Sequence, residues 1–161
     1  MKKILFTALI AIYIVSSAFA QDEQKINYRV LNAFTTEFNE ATDVNWTSKP
    51  EFDKACFNLE GKKLSAFYTC FGEKIGTTQE VSFETLPSKA KNCIAKKYND
   101  YSVKATILFE SDRESSYYVA AENNFQSVVL KVVGGYVTIF KKKSKTNNKN
   151  STDKPMQLAA F

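Results

Sequence analysis

Three cysteines, Cys56, Cys70 and Cys93, are the chain's candidate nucleophiles and soft metal ligands. A thiolate nucleophile needs a neighbouring base, and no histidine is present to act as one. The lack of imidazole also removes Ser-His-Asp and Cys-His machinery, and the cysteine spacing matches no zinc pattern. A thiol or carboxylate enzyme is the reading left open on the catalytic side. Asp53 and the run Asp112-Arg113-Glu114 fall at strand starts or turns, where a solvated role is expected, and nothing nominates an acid pair of the glycosidase kind. No phosphate-cradling G-x-x-x-x-G-K-S/T loop occurs. No cofactor and no metal is expected, and the chain reads as a non-enzyme.

The side chains better suited to function are aromatic. Trp46 is the sole tryptophan; it is either an interface anchor or, more commonly for such a position, part of the core or its rim. Tyr68 lies in Phe67-Tyr68-Thr69-Cys70-Phe71, which places aromatics on both faces of a strand, and Tyr117-Tyr118 does the same later. One face of each strand must meet a helix. The other is a binding surface or the cover of a second module. Trp46, Tyr68, Tyr117 and Tyr118 are therefore the candidate binding residues.

The elements that must position them follow from periodicity. Val30, Leu31, Phe34, Phe38 and Ala41 recur at helical spacing and predict a helix over 27–39. Strands are expected around 44–46, over 52–59, 64–71 and 75–83, with turns at Gly61 and Gly72. The pattern then repeats. Leu86-Pro87 opens a second helix with Ala90, Cys93, Ile94, Lys97 and Tyr98 on one face. Strands follow over 103–109, 117–122, 126–133 and 136–141. With the Gly61 turn centred on Gly61-Lys62, Cys56 should oppose Phe67, leaving Cys70 about three positions off register and too far for easy bridging, so that a disulfide there needs a shifted register. The expected fold is α+β: a tandem duplicated module, each copy one helix packed on an antiparallel four-stranded meander sheet. Whether the two meanders join edge to edge is a tertiary question.

The flanks carry addressing information. Lys2 and Lys3 precede an apolar run from Ile4 to Val15, and Ala18-Phe19-Ala20 offers an A-x-A cleavage site before Gln21. That is the pattern of a secretory signal peptide, with a hydrophobic core too short to span a bilayer comfortably. The expected layout is a signal peptide over 1–20, a flexible stretch over 21–27, modules over 28–85 and 86–142, and a basic disordered tail over 143–161. A periplasmic or secreted location follows, with no transmembrane segment after cleavage. The formal charge of +5 is misleading, because residues 21–140 hold 14 basic and 16 acidic groups. The body lacks the basic face of a nucleic-acid-binding domain. The tail is either a solvated end or an electrostatic contact for anionic lipid, polysaccharide or nucleic acid.

Phe34-x-x-x-Phe38-x-x-Ala41-x-x-Val44-x-Trp46 resembles the opening signature of exported bacterial PepSY-like domains, which are similar to beta-lactamase-inhibitor proteins. Asn39 stands where that family often has Pro or Gly. Ala66-Phe67-Tyr68, Gly72, Gly76-Thr77-Thr78 and Leu86-Pro87, followed by a helix ending at Tyr98, extend the resemblance over about residues 30–142. The second half keeps the layout with fewer motif residues. The resemblance implies tandem helix-plus-sheet modules of the Bacteroidetes type, an exported location and no catalytic residues to carry over. It also implies protein or peptide binding, including inhibition or modulation, through a sheet face. A carrier of a small ligand or envelope component, with an apolar pocket between the modules, is the alternative.

Overall fold

In the computed structural model, residues 26–145 are described. The expected signal peptide over 1–20, residues 21–25 and the part of the expected tail beyond Lys145 lie outside them. Helix α1 spans Tyr28–Glu37 and is followed by strands β1 (Thr42–Ser48), β2 (Asp53–Leu59), β3 (Lys62–Tyr68) and β4 (Lys74–Glu80). A 3-10 turn over Phe83–Thr85 leads to α2 (Ser88–Lys97), then β5 (Ser102–Glu110), β6 (Ser115–Glu122), β7 (Gln126–Val133) and β8 (Tyr136–Ser144). The strands form one antiparallel sheet in sequence order, β1 to β8. The two meanders join through β4 and β5, where Thr77, Thr78, Gln79 and Glu80 pair with Glu110, Phe109, Leu108 and Ile107. The fold is thus α+β with two helices on one eight-stranded antiparallel sheet, which answers the question, open in the sequence, of whether the two meanders join.

Both helices form on an apolar stripe, and a side chain caps the start of α1 but not of α2. Asn27 caps α1 by accepting from the Arg29 amide at 2.9 Å, and Ile26 packs on the core, so the end of the stretch expected to be flexible is part of the fold. The buried stripe is Val30, Phe34 and Phe38; Leu31, expected on it, is 38 % exposed. Pro87 sits at the N-cap of α2, and its carbonyl accepts from the amides of Ala90 and Lys91. Lys96 and Lys97 occupy the last turn of α2, where positive charge suits the carbonyl end of the helix.

Strand pairing and side-chain alternation put both helices on one face. Ala55, Phe57, Ala66 and Tyr68 meet Val30, Phe34 and Phe38, while Val119, Ala121, Val128, Leu130 and Val132 meet Leu86, Ala90 and Ile94. Under α1 the core is aromatic. The Phe34 ring stands edge-on to Phe57 at 5.0 Å and to Trp46 at 5.2 Å, and Phe38 lies 4.8 Å from Phe57. Under α2 the core is aliphatic and relies on β-branched strand residues.

The β2–β3 register differs from expectation. Leu59 pairs with Lys62, so the turn is Glu60-Gly61, with both residues at positive φ (50° and 72°), as a two-residue hairpin requires. Cys56 therefore opposes Ser65, and Lys54 opposes Phe67. Both edge strands carry register shifts: β1 between Thr42 and Asn45, with Asp43 at φ 53°, and β8 opposite Val129 and Leu130. Such bulges blunt an edge against further strand pairing. β8 also continues through Lys143 to Ser144, into the segment expected as tail. No helix among the described residues is long and apolar enough to cross a membrane.

Phe57 is 1 % exposed and touches two of the aromatic rings of α1 and its cap. Phe57→Ala should lower the unfolding free energy by about 3–5 kcal/mol, measured by urea denaturation. A loss within ordinary surface values, below about 0.5 kcal/mol, would show that this cluster does not hold α1 to the sheet.

Candidate protein-binding face

Among the described residues, no helix lies on the sheet face away from α1 and α2. Alternation assigns the side chains of this far face. Lys54, Phe67 and Gly76 form one row across β2, β3 and β4. Thr78 pairs with Phe109, and Phe109 with Ser116. Ile107, Tyr118 and Lys131 form a row across β5, β6 and β7.

Two aromatic groups floor this face. At the β1–β2 turn, the Phe52 ring stands 5.5 Å from Phe67, which is 4 % exposed. Gly76 has no side chain because Phe109 takes the space: a Cβ there would lie 2.7 Å from both the Phe109 ring and the Glu110 carbonyl oxygen. Towards β8, the bulge residue Phe140 turns its ring edge-on to Tyr118 at 5.1 Å. Phe140 is 51 % exposed and Tyr118 7 %.

Polar groups border the second group. The Lys131 ammonium lies 2.5 Å from a Glu114 carboxylate oxygen and 5.7 Å from the centre of the Tyr118 ring. The Ser116 hydroxyl donates to the same carboxylate at 3.3 Å. The Lys131 hydrogen bond holds the Glu114 carboxyl below its ordinary pKa, and Glu114 in turn raises that of Lys131.

The four aromatics singled out from sequence separate. Tyr118 stands on the far face. Trp46, Tyr68 and Tyr117 stand on the helix face: Trp46 is half-buried against Phe34, Tyr68 is fully buried, and Tyr117 packs on the α2 cluster. Tyr117 and Tyr118 are neighbours in one strand and so must point to opposite faces. The far-face aromatics not singled out are Phe52, Phe67, Phe109 and Phe140. The signal for Phe67 and Phe109 was present in the alternation of β3 and β5, but which phase faced a helix was not, and Phe52 in a turn and Phe140 at a bulge fall outside any alternation.

The Tyr68 hydroxyl is buried with no hydrogen-bond partner, and burial, with a smaller contribution from Glu37, raises its pKa. The three cysteines are free; Cys56 Sγ lies 3.4 Å from Ser65 Oγ, and Cys70 is exposed in the β3–β4 turn. Asp53, expected to be solvated, is 5 % exposed, opposite Ser48 and Tyr68. Among the described residues, no group of three or more potential metal ligands gathers.

Two recesses accompany the sheet. One, of about 310 Å³, is lined by residues including Asp100, Lys104, Glu122, Asn123 and Lys145. Lys145 at 2.9 Å and Lys104 at 3.1 Å hold the Glu122 carboxyl below its ordinary pKa. The other, of about 250 Å³, lies where the halves join, among Glu37, Phe38, Leu64, Lys74, Thr77, Glu110, Ser111 and Asp112. Charged and hydroxyl groups dominate both, unlike the apolar cavity expected of a carrier.

No family model matches the chain, and no curated protein matches it in sequence. Solved structures do match in shape. A BLIP-like protein from Bacteroides fragilis superimposes with a TM-score of 0.62 over 80 % of this chain and 92 % of its own, at 18 % identity. The fold is BLIP-like. A DUF2874 family protein from Bacteroides ovatus gives 0.64 over 74 % and 88 % at 16 % identity. A proposed periplasmic protein from Bacteroides eggerthii gives 0.66 over 78 % and 94 % at 14 % identity. The BLIP-like part of the sequence resemblance is thus matched in architecture, and none of these three proteins is described as an enzyme.

Tyr68→Phe should raise the unfolding free energy by about 1 kcal/mol by removing an unpaired buried hydroxyl, read from urea denaturation. A comparable loss would mean that the hydroxyl has a partner in solution. Glu114, whose pKa is depressed on folding, contributes stability above its unfolded pKa and loses it as pH falls through the folded one. Carboxyl NMR titration should therefore find Glu114 below the ordinary glutamate range, and in Lys131→Met its midpoint should rise. An unchanged midpoint would show that the pair is not formed in solution.

Proposed function

We propose that this is an exported, non-enzymatic binding protein that holds a protein or peptide through the far face of its sheet, as an inhibitor or modulator of that partner. The observation that carries this reading is the placement of both helices on one side of a continuous eight-stranded sheet. That arrangement leaves Phe52, Phe67, Phe109, Tyr118 and Phe140 together on the other side. Large aromatics beside charged groups are what interfaces concentrate at their centres. The BLIP-like fold supports the reading by analogy of architecture, which alone does not fix function.

Export to the periplasm or beyond is part of the proposal. It rests on the basic start, the apolar run and Ala18-Phe19-Ala20, and it agrees with the periplasmic description of the B. eggerthii protein. The tandem PepSY-like module belongs here too. Its support is the order of helix plus four strands, twice, and the similar helix ends: Phe38 (φ −120°, ψ 52°) bonds back to Phe34, and Tyr98 (φ −129°, ψ 37°) to Ile94. The polar junction recess gives the carrier reading no comparable support.

The test is affinity capture from envelope and culture-fluid proteins of the producing organism, with wild type, Phe140→Asp, Phe109→Asp and the helix-side control Lys97→Asp. A partner held by the far face should be recovered by wild type and by the control, with binding weakened about tenfold or more by the two aspartates. Equal recovery by all four proteins would place the binding surface elsewhere.

A further inference from the structure

We propose that the partner of the far face is acidic: a protein segment whose aspartates and glutamates meet lysines set around the aromatic floor. The proposal rests on the binding reading above and adds the partner's chemistry. Its observation is which charges this face leaves uncompensated. Glu114 is bonded to Lys131, and Glu122 is bonded to both Lys145 and Lys104. Lys49, Lys54, Lys63, Lys141 and Lys143 have no carboxylate within ion-pair distance among the described residues. Against these five the strands put Glu80 and Asp43 on the face, and Asp43 already accepts from the Asn58 amide at 2.8 Å, while Glu51 and Glu60 stand in the turns next to Lys49 and Lys63.

The placement of the lysines strengthens the charge argument. Register puts Lys54 on the far face opposite Phe67, and Lys141 and Lys143 there opposite Val129 and Ser127. The ammonium groups of Lys49 and Lys54 each lie 5.5 Å from an aromatic ring centre, Phe52 and Phe67 respectively. Positive charge thus stands over apolar floor at the β2 end and again along β8, with Phe109, Tyr118 and Phe140 between. Lys141 and Lys143 belong to the basic run after Phe140, whereas Lys49, Lys54 and Lys63 stand within residues 21–140, where acidic groups outnumber basic ones. A carboxylate arriving here meets an ammonium that has no competing anion, while its neighbouring apolar side chains meet the rings. Complementarity of that kind selects partners and speeds encounter. The unpaired cations of this face are all lysines, separated into two groups, where a nucleic-acid surface favours a dense basic track.

The experiment is fluorescence anisotropy on the purified protein with three labelled peptides that share alternating Phe and Tyr. The intervening residues are Asp in one, Ser in the second and Lys in the third. A labelled oligothymidylate serves as a non-peptide anion. The Asp peptide should bind about tenfold tighter than its Ser twin, and the difference should shrink as salt rises from about 50 mM to about 500 mM. K54E combined with K141E should abolish the preference for the Asp peptide while leaving the circular dichroism spectrum unchanged. Equal or weaker binding of the Asp peptide, with the Ser peptide still bound and lost in Phe140→Asp, would overturn the acidic partner and keep the binding face. No binding of any peptide would count against both. Tighter binding of the oligothymidylate than of the Asp peptide would overturn the proposal in favour of a phosphate-backbone ligand.

Discussion

The β4–β5 ladder is the constraint on which the rest depends. Four residue pairs, Thr77 to Glu80 against Glu110 to Ile107, turn two helix-plus-meander halves into one sheet. Because α2 lies between these antiparallel neighbours in sequence, it must cross one face of the sheet, and it crosses the face already occupied by α1. The alternation of every strand then follows from its register. Residues in phase with Ala55 and Leu130 go to the core, and those in phase with Phe67 and Tyr118 go to the far face.

Each half solves the core problem differently. Under α1, Phe34 stands edge to face against Phe57 and Trp46, and Phe38 packs tilted against Phe34 and Phe57, so a few large rings fill the space between helix and sheet. Under α2, the smaller Ala90 and Ile94 sit on a valine- and alanine-rich floor. The far face is built with the same economy of space. Gly76 exists to let Phe109 lie across β4, and the bulge at Phe140 turns a ring back over Tyr118 from an edge strand.

Part of this was legible in the residues. Helices of about the right length, eight strands and most turns follow from periods of 3.6 and 2 and from glycine positions, and residues 126–133 match β7 throughout. The Glu60-Gly61 hairpin did not, because a glutamate at positive φ carries no sequence signal, and the assumed turn shifted Cys56 by two positions. The 3-10 turn before α2 was likewise missed, since Phe83-Glu84-Thr85 is too short to show a period. Tyr118 was singled out together with Trp46, Tyr68 and Tyr117, three residues that belong to the helix face.

By itself, then, the sequence determined the elements, their order, the antiparallel meander and the absence of imidazole chemistry. These depend on local periodicity, turn residues and composition. The tertiary structure alone decided that the meanders share one sheet and that both helices occupy the same side, because those outcomes depend on pairing between residues about thirty positions apart. It also decided which phase of each strand is core. A period of two states that side chains alternate; only the position of a helix over the sheet states which of the two sets is buried beneath it.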